Sequence, residues 1–137
     1  MARITDLVQN RVLLDQLRKP ADKQQVNIFA MGDVGSTLLS GLFLLGGEWI
    51  HTIGIWDINP MQVERLETEY GQIAGYSSRH DFPGVVGLKR EDFFQGDVAV
   101  FCASAGVPPI DHTEGDVRMM QWERNRVLVA EWVRQGV

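Results

Sequence analysis

Two groups of residues in this chain have types and spacing suited to chemistry. The first is Ala30-Met31-Gly32-Asp33-Val34-Gly35-Ser36, which follows a short apolar run and precedes a longer one. Glycines in such a turn let backbone approach a diphosphate closely. The amides of Val34, Gly35 and Ser36 are expected to point at it from a helix N-terminus. The second is Asp57, which closes the apolar run Thr52-Ile53-Gly54-Ile55-Trp56. An acid there can accept hydrogen bonds from both hydroxyls of an adenosine ribose, and it would repel a 2′-phosphate. The pair of features therefore favours NAD over NADP.

The glycine pattern departs from G-x-G-x-x-G, because Ala30 takes the first position. Its methyl group enters a tight turn. Asp33 places a carboxylate among the amides meant for phosphate. At about 4 Å, one unit of like charge costs about 1 kcal/mol in water and about 4 kcal/mol at an effective dielectric of 20. Other polar groups carry less. His80 and Asp81 adjoin, but no further ligand stands near them in sequence, so no metal site is expected. Glu64, Glu67 and Glu69 read as a solvated helix face rather than a catalytic pair. His51 and His112 read as surface or half-buried residues.

The elements that position the two groups follow from hydrophobic patterning. Val26 to Ala30 reads as a buried strand, and Thr37 to Leu45 as a buried helix stopped by Gly46-Gly47. Asn59-Pro60 caps a helix over about 61–73. Residues 75–84 are expected to form a loop, Val85 to Leu88 a third strand, and Lys89 to Gln95 a short helix or turn. Val98 to Cys102 is a fourth strand, and a last helix runs from about Met119 to Arg134. Alternating strands and helices predict an α/β Rossmann-like three-layer fold with a parallel sheet of about four strands. Ile4, Leu7, Val8, Leu14 and Leu17 form one apolar face of an extra N-terminal helix, ended by Pro20. Residues 1–25 are that helix with a polar connector, and residues 26–137 are the Rossmann domain.

Composition excludes several classes. The chain has 137 residues, a formal charge of −5 and 45% hydrophobic residues, enough for one packed domain. With no basic run, neither nucleic acid nor an anionic membrane is an expected partner. No apolar run is long enough to span a bilayer. The single cysteine, Cys102, makes no internal disulfide, and Met1 to Asp6 lacks a signal-peptide pattern. A cytoplasmic setting is expected.

The segment after the fourth strand adds a resemblance. Ala105-Gly106-Val107-Pro108, the polar loop with Glu114-Gly115, Arg118, and Asn125 seven residues on stand in the order found in lactate and malate dehydrogenases. Gly32, Asp57 and Asp97 fit the same order. The chain resembles the NAD-binding domain of that family over about residues 26–137. The resemblance implies that Gly32, Asp33, Val34, Gly35 and Ser36 lie at the pyrophosphate, and Asp57 and Ile58 at the adenosine. It places Ala105, Gly106 and Asn125 toward the nicotinamide end. Arg118 would polarise a substrate carbonyl, because negative charge develops on that oxygen during hydride transfer.

The implied activity is hydride transfer between NAD and a 2-hydroxy or 2-oxo acid. Pro108-Pro109-Ile110 occupies the family's substrate-reading position, so the substrate is unreadable. The family's histidine and carboxylate-binding arginine belong to a later segment, so the chain is expected to be incomplete for catalysis on its own. Alternatives are a non-catalytic nucleotide-binding or structural module and, more distantly, an S-adenosylmethionine methyltransferase. A second apolar stripe, Val127, Leu128, Trp132 and Val133, joins the N-terminal one in predicting a homodimer or higher homo-oligomer.

Overall fold

In the computed structural model, residues 22–73, 81–106 and 117–135 are described, without the side chains of Val117 and Arg118. The elements in chain order are β1 (Gln24–Phe29), α1 (Asp33–Leu45), β2 (Ile50–Trp56), α2 (Pro60–Gly71), β3 (Gly84–Gly87), a 3₁₀ helix (Arg90–Gln95), β4 (Val98–Phe101) and α3 (Val117–Gln135). The strands form one four-stranded sheet in the order β3-β2-β1-β4, and every pairing is parallel. This is the α/β Rossmann-like arrangement expected. The chain direction across the sheet reverses between β1 and β4.

The alternation of side chains along β1 builds the layers. Val26 and Ile28 face a core that also holds Leu39 and Phe43 of α1, Leu66 of α2, and Ile53 and Ile55 of β2. Phe29 faces the other way, into a cluster with Phe93 of the 3₁₀ helix and Trp132 of α3. A strand covered on both faces has no solvated side, which explains why β1 reads as a nearly continuous apolar run. The exception is Asn27, fully buried. Its Nδ2 donates to the Phe93 carbonyl at 2.7 Å, and its Oδ1 accepts from Gln25 Nε2 at 3.0 Å. Both ends of the amide are satisfied, so its burial costs little, and it ties β1 to the 3₁₀ helix.

Element boundaries moved in instructive ways. β1 starts at Gln24, within the expected connector, because Gln24 donates to the Trp49 carbonyl at 2.7 Å and Gln25 to Asp97 Oδ2 at 2.7 Å. Pairing with neighbours overrides the polarity of those side chains. The cap of α2 is as expected, with Asn59 Oδ1 accepting from Met61 N at 3.2 Å and Pro60 in the first turn. Gly46 ends α1 in an ordinary right-handed conformation. Neither glycine there has room for a Cβ: on Gly46 it would collide with the Leu42 carbonyl, and on Gly47 with the Asp81 carbonyl.

The expected second oligomer stripe is corrected at two of its four residues, Leu128 and Trp132. Trp132 is buried to 4% exposure within its own domain and Leu128 packs beside it, while Val127 and Val133 stay exposed. Trp132 lies 4.2 Å from the Phe29 ring centroid and 5.0 Å from that of Trp56, and the Arg90 guanidinium covers it at 4.6 Å. The aromatic cluster on β1 and β2 takes up Trp132 and Leu128, so those two are core, while Val127 and Val133 remain on the surface. The expected helix over 4–18 and the loop residues Arg79, His80 and His112 lie outside the described residues. Among the described residues, no helix is long and apolar enough to cross a membrane, and no group of His, Cys, Asp and Glu could hold a metal ion.

Candidate functional site

At the carboxyl end of β1 the backbone turns sharply into α1. Ala30 adopts φ 71°, a left-handed conformation that residues with a Cβ rarely take. Its N–H still donates to the Trp56 carbonyl at 2.8 Å, which carries the β1–β2 pairing one step past the strand. Met31 then turns its side chain into the core, and its N–H donates to Asp57 Oδ2 at 2.6 Å. The Met31 carbonyl accepts from Ser36 Oγ at 3.0 Å and from Gln62 Nε2 of α2 at 3.3 Å. The turn is therefore held from β2, α1 and α2 together.

Gly32 caps α1, and Asp33 is its first helical residue. The two glycines do different work. A Cβ on Gly35 would overlap the Ala30 carbonyl oxygen, so Gly35 lets α1 sit against the strand end. A Cβ on Gly32 would meet no protein atom within 4 Å, so this backbone is open to a ligand. The amides of Asp33, Val34 and Gly35 belong to the first turn, where a helix offers them no partner of its own. The Ser36 amide is different: it donates to the Gly32 carbonyl at 2.8 Å. The expectation of a free Ser36 amide is thus corrected, since the helical bond pattern begins there. Its hydroxyl is also engaged within the turn, so Ser36 braces the loop.

Across the turn, Asp57 uses its second oxygen as well, with Oδ1 accepting from Asn59 N at 2.8 Å. A carboxylate has about four lone-pair sites, so each oxygen keeps capacity for a further donor. Ile58 stands beside it, 85% exposed, an apolar side chain with no protein cover.

On the other side of β1, Cys102 N donates to the Phe29 carbonyl at 3.0 Å, and the chain continues through Ala103, Ser104 and Ala105. Asn125 Oδ1, from α3, accepts from Ala105 N at 2.7 Å. Gly106 follows with φ 148°, which favours glycine. Burial raises the Cys102 thiol above its ordinary pKa.

These pieces enclose one cleft of about 640 Å³. Phe29, Ala30, Cys102, Ala103 and Leu128 supply apolar walls, while Gly32, Asp33, Val34, Asp57, Ile58, Ser104 and Ala105 complete the lining. The size suits a nucleotide-class ligand. The position suits it too, since ligands of open α/β sheets bind beyond the strand carboxyl ends where strand order reverses. Of the expected site residues, Gly32, Asp33, Val34, Asp57, Ile58 and Ala105 line the cleft. Gly35 and Ser36 lie behind it as packing and bracing residues. Gly106 and Asn125 adjoin it through Ala105. Arg118 lies in the first turn of α3, and its side chain is outside the described residues.

Phe29, Cys102, Ala103, Ser104 and Leu128 were not expected in the site. The strand order predicts the first four, because they sit at the ends of β1 and β4. No described lining residue is cationic. Among the described residues, the first-turn amides of α1 and the Asp33 carboxylate stand together at the Gly32 opening.

No known protein-family model matches this sequence, and no curated protein matches it in sequence. Its fold is similar to a solved structure, the minor L-lactate dehydrogenase from Enterococcus mundtii in its ligands-bound form. The match has a TM-score of 0.66 at 15% identity, over 83% of this chain and 33% of that one. The chain thus spans about a third of the length of that protein. The likeness is one of fold: a parallel sheet with flanking helices.

Proposed function

We propose that this chain is the NAD-binding unit of an oxidoreductase resembling lactate and malate dehydrogenases. The observation that carries the reading is the single cleft joining three features. These are the open backbone at Gly32 with the first-turn amides of α1, the Asp57 carboxylate at the end of β2, and the Ala103–Ala105 wall after β4. A dinucleotide has its diphosphate between two nucleosides, and the strand order β2-β1-β4 presents matching partners in that sequence. In this reading Asp57 accepts from the adenosine ribose and Ile58 covers the adenine. NAD supplies the hydride acceptor. Arg118 steadies the oxygen of a small 2-oxo or 2-hydroxy acid. A homodimer belongs to the same proposal. The shallow apolar groove of α1, with Leu38, Leu42 and Leu45, is one described surface that favours it.

One observation favours a second reading, a non-catalytic nucleotide-binding or structural module. Asp33 lines the cleft at the helix N-terminus with no cation among the described lining residues to offset it. Calorimetric titration separates the two. NADH should bind weakly to the wild type, and about fivefold more tightly to Asp33→Asn, which removes about 1 kcal/mol of like-charge repulsion. No heat from either protein would favour the structural module.

A further inference from the structure

Asn125 and Gln121 lie one turn apart on α3, so their side chains leave the helix on the same face. Both reach the loop after β4. Asn125 Oδ1 accepts the Ala105 N–H at 2.7 Å, and Ser104 Oγ lies 3.5 Å from the same oxygen. Gln121 Nε2 donates to the Gly106 carbonyl at 3.3 Å, which also accepts from Ser104 Oγ at 3.2 Å. Three successive loop residues are thereby fastened to two positions of one helix.

The helix itself is anchored three and seven residues beyond Asn125, where Leu128 lines the cleft and Trp132 is buried among Phe29, Phe93 and Phe101. The loop, in contrast, has no strand partner after Cys102, and Gly106 at φ 148° marks a conformation the chain does not take by default. Loop position is therefore set by α3. Ala103, Ser104 and Ala105 are the wall of the cleft on the β4 side, and Asp57 and Ile58 are the wall on the β2 side.

We propose that Asn125, assisted by Gln121, is a positioning residue: it holds the 104–106 loop against α3 and so sets the width of the β4 half of the cleft. The inference rests on the dinucleotide reading and deepens it. Asn125 acts through the Ala105 backbone, whose N–H its Oδ1 accepts, and this adds to the place toward the nicotinamide end that the resemblance gives it. Its effect falls on the half of a dinucleotide beyond the diphosphate. A mononucleotide seated at Asp57 is indifferent to it.

The test is a paired titration of the full chain with NADH and with AMP. Asn125→Ala should weaken NADH about 2- to 10-fold, the usual worth of one positioned hydrogen bond, and leave AMP within about twofold. Asn125→Asp keeps an acceptor for the Ala105 N–H and should restore most of the NADH affinity. Gln121→Ala should show a smaller loss of the same kind. Equal NADH affinity in wild type and Asn125→Ala would overturn the proposal, as would parallel losses for NADH and AMP, which would mark a general loss of structure. Binding of AMP but not NADH to the wild type would overturn the proposal and leave a nucleotide site at Asp57. Binding of neither would remove the dinucleotide reading itself.

Discussion

The Asp57 carboxylate accepts the Met31 N–H at 2.6 Å, binding the end of β2 to the turn that opens α1. One side chain thus shapes the glycine turn and presents acceptor oxygens to the cleft. Removing it should have two separable effects. Asp57→Ala should lower unfolding stability by about 1.5–3 kcal/mol, the range for a hydrogen bond to a charged group. Asp57→Asn keeps an acceptor and should lose less, while relaxing the preference for NADH over NADPH. Urea denaturation and paired titrations read the two effects. Unchanged stability in Asp57→Ala would show that the Met31 contact contributes nothing.

The glycines of the turn should part company on substitution. Helix-interior Gly→Ala ordinarily gains about 1 kcal/mol. Gly35→Ala should instead be destabilising by about 1–3 kcal/mol or more, because its Cβ has no room beside the Ala30 carbonyl. Gly32→Ala should fold normally, since its Cβ would meet only open space, yet weaken NADH by filling the approach to the first-turn amides. Thermal unfolding with a binding titration distinguishes the pair. Equal behaviour of the two variants would contradict the separation of packing and binding roles.

Trp132 should be a major stability residue. Trp132→Ala removes a side chain with 4% exposure from a cluster of aromatic rings and should cost about 3–5 kcal/mol. Val133→Ala, beside it on the exposed face, should cost under about 0.5 kcal/mol. Similar losses at both positions would mean that α3 is not docked as described.

Cys102 supplies a pH prediction. Burial favours the neutral thiol in the folded chain, so its pKa is raised relative to the unfolded chain. The stability linked to that shift is complete below the ordinary thiol pKa and is lost as pH rises through the raised value. Alkylation by iodoacetamide should accordingly be slow at neutral pH and accelerate only above the ordinary thiol range. Since Cys102 lines the cleft, saturating NADH should slow it further. Rapid alkylation at pH 7, untouched by NADH, would contradict both points.

The sheet and its helices were legible because each strand is short, apolar and bounded by turn residues, and α1 and α2 carry plain start signals. Gly32 and Asp57 were legible for the same local reason. What was not legible depends on neighbours distant in sequence. Gln24 and Gln25 look like connector and become strand only through Trp49 and Asp97. Ser36 looks like a phosphate ligand until its amide is assigned to Gly32. Trp132 looks like an interface residue until Phe29 and Phe93 surround it. Ser104 and Cys102 carry no motif and enter the cleft only because β4 pairs with β1. Ala30 stands between the two cases. Its methyl group in a tight turn was readable, and the left-handed φ of 71° shows the form the strain takes.

The most direct measurement is a titration of the isotopically labelled chain with NADH, followed through the backbone amide resonances. The account predicts shifts centred on Gly32, Asp33 and Val34, on Ile58, and on Ala103 to Ala105. Leu42 and Leu45 on the outer groove and His51 at the far end of β2 should stay in place. Absence of any shift at millimolar NADH, or shifts confined to the α1 groove, would contradict the assignment of this cleft to a dinucleotide.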